Sequence, residues 1–166
     1  KAWTWEHQAL TRARFCAGDP ELGARFEAIR REILCLPRDP AKLREEVLAM
    51  RQKMRDAHPS RAGLFHLKHD PGGLVDVEFL VQYLVLAHAH EHPELTANTG
   101  NIALLRCAAD LGLIDATLAR QVADAYRELR RLQHRQRLDE LPAVVPEDEA
   151  AALREPIIAL WRRIFT

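Results

Sequence analysis

Apolar residues recur at three- and four-residue intervals over most of this chain, the spacing that collects them on one side of an α-helix. The first such segment spans residues 4–16 and stops at Gly18. Asp19-Pro20 opens the next: an acid can accept from the first free N–H groups, and proline suits the first helical position, where its missing N–H costs nothing. Leu22, Phe26, Ile29, Ile33 and Leu36 follow as one apolar stripe, the face expected to meet the core, until Pro37 ends it. Asp39-Pro40 repeats the start signal ahead of Leu43, Val47, Met50 and Met54. The short join between these helices predicts that they pack antiparallel.

Between residues 58 and 73 the period fails, and Pro59, Gly63, Pro71, Gly72 and Gly73 punctuate the chain. Residues 64–68 read as a short extended segment with no strand to pair with. Residues 74–90 are apolar on nearly every face, the mark of a central buried helix. A loop leads to a helix over 100–111 that ends at Gly112. Asp115 then caps a long helix with the stripe Leu118, Val122, Ala125, Leu129, Leu132 and Gln136. After Pro142 and Pro146, a last helix carries Leu153, Ile157, Leu160 and Ile164, and Pro156 either kinks it or marks its true start. The pattern predicts an all-α fold. About seven helices form one bundle-like domain over 1–166, with at most one short extended segment near 64–68.

Composition agrees, since Ala, Leu, Arg and Glu make up half of the 166 residues and all four favour helices. The 24 basic and 24 acidic side chains balance, leaving no electrostatic reason to expect nucleic acid or an acidic membrane as a partner. Cys16, Cys35 and Cys107 are odd in number and widely spaced, which fits reduced thiols in a cytoplasmic protein rather than a disulfide framework. The most apolar stretch carries Asp76, Glu78 and Gln82, poor company for a membrane span. The chain opens on Lys1 and reaches Trp3 and Trp5 at once, so it reads as a piece of a larger protein.

Candidate chemistry concentrates in Lys68-His69-Asp70-Pro71-Gly72-Gly73-Leu74-Val75-Asp76-Val77-Glu78. Positions two apart on a helix point about 200° apart, so Asp76 and Glu78 cannot act as a paired acid and base or as one metal site. With Gly73 as the cap, Asp76 is the third helical residue, where an acid complements the helix dipole. Two readings of the segment stand. In one it is purely structural; in the other the glycines admit a backbone or ligand, while Lys68 and the helix N-terminus offer positive potential to a phosphate. Arg12 and Arg14 diverge in the same way, and one of them is a candidate partner for Asp76 or Glu78. His88, His90 and His92 do not share one helical face, and no metal site is expected there. The arginine-rich end of the long helix, from Arg127 to Arg137, reads as a solvated face or at most a docking patch. No Walker loop, GxSxG, HExxH or CxxC motif exists.

The opening Ala2-Trp3-Thr4-Trp5-Glu6-His7-Gln8-Ala9-Leu10-Thr11-Arg12-Ala13-Arg14 and the later Lys68…Gly72-Gly73-Leu74-Val75-Asp76-Val77-Glu78-Phe79…Gln82 closely resemble the bacterial glutamine synthetase adenylyltransferase family. Met50-Arg51-Gln52-Lys53-Met54-Arg55, between them, is similar as well. The resemblance implies a bifunctional enzyme with two nucleotidyltransferase halves. One half attaches AMP from ATP to a tyrosine of glutamine synthetase; the other removes it by phosphorolysis. The Trp-x-Trp-Glu-His-Gln form looks like the C-terminal, adenylylating half, and this chain resembles the helical domain that follows its catalytic domain.

The family's catalytic Gly-Ser turn and magnesium-holding Asp-x-Asp pair are both absent here. Magnesium and ATP are therefore expected to serve the parent enzyme, with no metal and no catalytic residue in this piece. Arg14, Lys68, Gly72, Gly73, Asp76 and Glu78 become candidates for a nucleotide cleft or domain interface facing the catalytic domain. The apolar tryptophans and the unpaired segment near Phe65 read as surfaces that a neighbour covers. Replacing Asp76 or Lys68 by Ala is expected to lower adenylylation without unfolding. The implied partners are the enzyme's own catalytic domain, glutamine synthetase and the PII signalling protein. Two other readings are a docking module for glutamine synthetase or PII with no role in the active site, and a relative of the uridylyltransferases, which share a Gly-Gly-x-x-Asp element.

Overall fold

A computed structural model describes residues 2–97 and 99–166. Among them are seven α-helices: α1 (Thr4–Leu10), α2 (Pro20–Leu34), α3 (Pro40–Ala57), α4 (Leu74–His88), α5 (Asn101–Asp110), α6 (Ala116–Leu138) and α7 (Glu147–Phe165). A 3₁₀ turn covers Pro93–Thr96, and two short strands, β1 (Leu64–His66) and β2 (Val144–Pro146), complete the order. The all-α reading is correct apart from this small sheet. None of the described helices is long and apolar enough to cross a membrane.

Three helix starts follow directly from the sequence. The Asp19 carboxylate accepts from the Glu21 N–H, Asp39 from the Ala41 and Lys42 N–H groups, and Asp115 from the Leu118 N–H. α4 is the hub and packs against α1, α3, α5, α6 and α7. Leu80, Leu84 and Val85 turn inward, and so do Leu74, Val77 and Val81 on its other sides. A helix surrounded in this way has little solvent face, and Glu78, Gln82 and His88 are its half-buried polar positions.

Four expectations need correction. α1 ends at Leu10, not near residue 16. The buried Arg30 guanidinium of α2 donates to the Leu10 and Thr11 carbonyls at 3.0 Å each and to the Thr96 carbonyl at 2.9 Å. The carbonyls at the end of α1 are thus drawn toward α2 and the 3₁₀ turn rather than into another helical turn.

The α2 stripe is the second. Leu22, Phe26, Ile29 and Leu36 lie on the exposed side, with Leu22 61% accessible, while Gly23, Arg30 and Leu34 face inward. α2 also does not lie along α3: it packs on α1 and the 3₁₀ turn, whereas α3 packs on α1 and α4. Arg38, in the join, sets the divergence. It donates to the Ile33, Leu34 and Leu36 carbonyls at the end of α2 and to the Leu86 carbonyl of α4.

The segment near Phe65 is not an open edge. β1 pairs antiparallel with β2 in the register Leu64–Pro146, Phe65–Val145 and His66–Val144. Phe65 and Val145 are buried together, and the Leu67 N–H donates to the Ala143 carbonyl. The strand partner lies some eighty residues downstream, in a Val-Val pair between prolines too short to announce itself. Of the two readings of Pro156, the true start is excluded: it sits inside α7, which begins at Glu147.

Gly72 has φ of 84°, and a Cβ there would come within 2.9 Å of Arg154 Cβ on α7. Gly63 has a similar φ of 74° but faces open space. Gly72→Ala should therefore cost about 2 kcal/mol or more and lower Tm by roughly 4–8 °C, while Gly63→Ala bears only the backbone cost. Equal losses in thermal melts would show that the contact with α7 is not what requires glycine at position 72.

Candidate functional site

Residues 67–73 fold back over the start of α4 and consume its free donors. The Gly73 N–H donates to the Asp70 carbonyl, Leu74 N–H to the Leu67 carbonyl and Val75 N–H to the Lys68 carbonyl, all at 2.9–3.1 Å. The helix N-terminus is thereby satisfied from within, and its leading N–H groups are not free to hold a phosphate. A Cβ on Gly73 would lie 2.9–3.0 Å from the same three carbonyl oxygens, which is why this position carries glycine. Both glycines thus allow close approach of the chain's own backbone, at Gly73 by the loop and at Gly72 by α7.

Asp76 is 1% exposed, and each of its oxygens is engaged. Oδ1 accepts from Arg51 Nε at 2.5 Å; Oδ2 accepts from the Gly72 N–H at 2.7 Å and lies 3.7 Å from Arg55 Nη2. Arg51 is equally buried, and its Nη2 donates to the His69 carbonyl at 2.7 Å. This pair binds α3, α4 and the loop into one unit. Asp76's partner is therefore Arg51, not Arg12 or Arg14. The resemblance had marked the Met50–Arg55 segment, but nothing in its periodicity separates an inward arginine from an outward one. Arg12 donates to Asn101 Oδ1, and Arg14 lies exposed in the segment between α1 and α2.

Asp70 organises the other side of the loop, accepting from the Ser60 hydroxyl at 2.6 Å and the His66 N–H at 2.7 Å. Above it His58 stacks on His69, with ring centroids 3.8 Å apart, and His66 lies tilted 4.9 Å from His69. Burial, reinforced by His58, His66, Lys68 and Arg51, pushes the His69 imidazole down to about 4.

Of the candidates in the loop and α4, Lys68 and Glu78 turn outward. They line a cleft of about 720 Å³ whose other wall is the last two turns of α6 and the chain just after it, with Arg130, Gln133, His134, Arg137 and Glu140; Leu74, Leu141 and Ala143 are also part of it. Asp76 and Glu78 therefore do part company, one toward α3 and the other toward α6. The arginine-rich end of α6, expected to be a solvated face or at most a docking patch, supplies one wall of this cleft. A second groove of about 730 Å³ is bordered by Trp3, Trp5, Arg38, Lys42, Met50 and Lys53. Among the described residues no group of three or more His, Cys, Asp or Glu is arranged to hold a metal ion.

Asp76→Ala leaves Arg51 buried without its counter-charge and should cost about 3–5 kcal/mol, so its effect on any activity would include loss of fold. The double replacement Arg51→Met with Asp76→Leu should recover much of that loss in denaturant melts; no recovery would show that shape, not charge, links the two sites. For His69, the unfolded chain takes up a proton before the folded one, because the folded value lies below the ordinary 6.5. Its contribution is present above pH 6.5 and is lost as pH falls toward 4. Between pH 7 and 5 the wild type should lose on the order of 2 kcal/mol more than His69→Asn, and parallel Tm profiles of the two would refute the assignment.

Two family models match the chain: GlnD PII-uridylyltransferase over residues 41–141 and Glutamate-ammonia ligase adenylyltransferase over residues 1–29. The chain is 66% identical over 164 residues to a bifunctional glutamine synthetase adenylyltransferase/adenylyl-removing enzyme of Aromatoleum aromaticum, covering 99% of this chain and 18% of that protein. Proteins of the same description from Nitrosomonas eutropha and Bordetella bronchiseptica are 50% and 57% identical, over 99% and 98% of this chain and 19% and 17% of theirs. The chain thus spans less than a fifth of the length of these relatives. With identity sustained from the tryptophan-rich opening through the loop before α4 to the end of α7, the chain belongs to the bifunctional glutamine synthetase adenylyltransferase/adenylyl-removing enzyme family.

Proposed function

We propose that this helical domain is the companion of a nucleotidyltransferase domain that transfers AMP from ATP to a tyrosine of glutamine synthetase, and that it completes the active-site cleft without performing the chemistry. The observation that carries this reading is the division of labour around α4. Gly72, Gly73 and Asp76 are spent on internal packing, while Lys68 and Glu78 line an open cleft. A lysine positioned by a rigid loop suits a charge-bearing substrate better than one on a mobile segment.

Asp76 and Glu78 do not together fit a magnesium ion. Asp76 is neutralised by Arg51, and Glu78 leaves α4 on a different side. Magnesium would therefore be held by the catalytic domain, with ATP bound between the two. Trp3 and Trp5, 70% and 50% exposed beside their groove, supply apolar area suited to that neighbouring domain. The exposed α2 face favours a second reading, a docking surface for glutamine synthetase or PII, which the isolated chain would bind without its catalytic neighbour.

The test compares ATP-dependent AMP transfer to glutamine synthetase by this chain alone, by an enzyme of the relatives' full length, and by that enzyme carrying Lys68→Ala. The expected result is no transfer by the chain, transfer by the long enzyme, and about a tenfold or greater loss in the variant at unchanged Tm. Transfer by the chain alone, or a wild-type rate in the variant, would overturn the reading.

A further inference from the structure

We infer that His66 is a positioning residue for Lys68: its neutral imidazole ties down the backbone of the loop before α4, and a proton taken up by that ring releases it. His66 Nδ1 accepts from the Lys68 N–H at 3.2 Å and from the His69 N–H at 3.3 Å. A ring nitrogen that accepts carries no hydrogen, so the proton of the neutral ring sits on Nε2. A second proton goes to Nδ1 and turns the acceptor into a donor that faces two donors. Both contacts then fail together, and one of them is at the amide from which the Lys68 side chain springs. The inference rests on the proposed role of Lys68 in the cleft and adds what fixes that lysine in place.

The surroundings favour the neutral ring. His66 lies on β1, and its partner on β2 is the apolar Val144. Burial, with smaller contributions from His58 and Lys68, outweighs the attraction of Asp70 and holds the imidazole below the ordinary 6.5. The Asp70 carboxylate is itself engaged, by the Ser60 hydroxyl and by the His66 N–H. Arg61 shares a groove with His58, His66 and Asp70, and Arg51 donates to the His69 carbonyl, so the remaining charged neighbours are cations. His69 lies 4.9 Å from the His66 ring and is stacked on His58, which in turn is held through Nδ1 by the Met54 carbonyl. An imidazolium formed at one of these three rings repels a second at the next. Because the folded value lies below 6.5, the tether is complete above that pH and is lost as the pH falls beneath it.

Two substitutions separate the acceptor from the proton. Asn places an oxygen near the position of Nδ1 and does not titrate, whereas Leu offers no acceptor. In an enzyme of the relatives' full length, hydrogen exchange at the Lys68 and His69 amides is followed at pH 7.5 and pH 5, corrected for the intrinsic effect of pH on exchange. Wild-type protection should fall about tenfold or more between the two, the loss expected for two backbone hydrogen bonds. His66→Asn should stay protected at both, and His66→Leu should be unprotected already at pH 7.5. The rate of AMP transfer should follow: less steep below pH 6.5 in His66→Asn than in wild type, and low throughout in His66→Leu. Equal wild-type protection at the two pH values, an Asn variant that loses protection as the wild type does, or a protected Leu variant overturns the inference. If His66→Leu fails to fold, the comparison of wild type with His66→Asn decides alone. Exchange indifferent to His66 beside Lys68-dependent transfer defeats only this inference. Exchange that follows His66 beside a Lys68→Ala enzyme of wild-type rate defeats the proposed function instead.

Discussion

A carboxylate buried at the third position of the central helix cannot be left unpaired, and the requirement to neutralise it shapes everything around the loop before α4. Asp76 draws Arg51 in from α3, takes the Gly72 N–H and stands near Arg55. Arg51 in turn takes the His69 carbonyl. An isolated ion at this depth would cost several kcal/mol, and the hydrogen bonds around the pair offset that cost. In doing so they hold the loop in one conformation. The loop's carbonyls then crowd against Gly73, its tip presses Gly72 onto α7, and Lys68 is left pointing away from the packed side.

Arginine serves the rest of the fold in a related way. Arg30 gathers the carbonyls of three segments, Arg38 gathers those at the end of α2 and one from α4, and Arg154 donates to the Pro71 carbonyl while lying 4.7 Å from the Phe65 ring centroid. Helix ends leave acceptors without donors, and a forked, permanently charged side chain satisfies several at once. This explains how short helices separated by proline and glycine hold definite angles to one another. Those angles also set the outer surface: with α2 tethered by Arg30 and Arg38, its Leu22, Phe26 and Ile29 side is directed outward. The molecule thus exposes apolar residues on α2 and at the Trp3–Trp5 groove bordered by α3, and has a polar cleft between α4 and the end of α6.

Local signals in the sequence determined most of the helices. The Asp caps of α2, α3 and α6, the glycine stop after α5 and the all-round apolarity of α4 are short-range effects, governed by propensity, capping and period, so residues a few positions apart suffice to read them. The opposite directions of Asp76 and Glu78 follow equally from helical geometry. Tertiary structure decided what periodicity cannot carry. It chose which side of α2 faces in, because an apolar stripe meets the core only if the neighbouring helices lie on that side. It paired β1 with a strand eighty residues away, and it selected Arg51 from among twenty arginines as the partner of Asp76. It also brought the cations at the end of α6 beside Lys68 to form the cleft. Each of these is a contact between distant parts of the chain, and its energy depends on an approach that no window of sequence specifies.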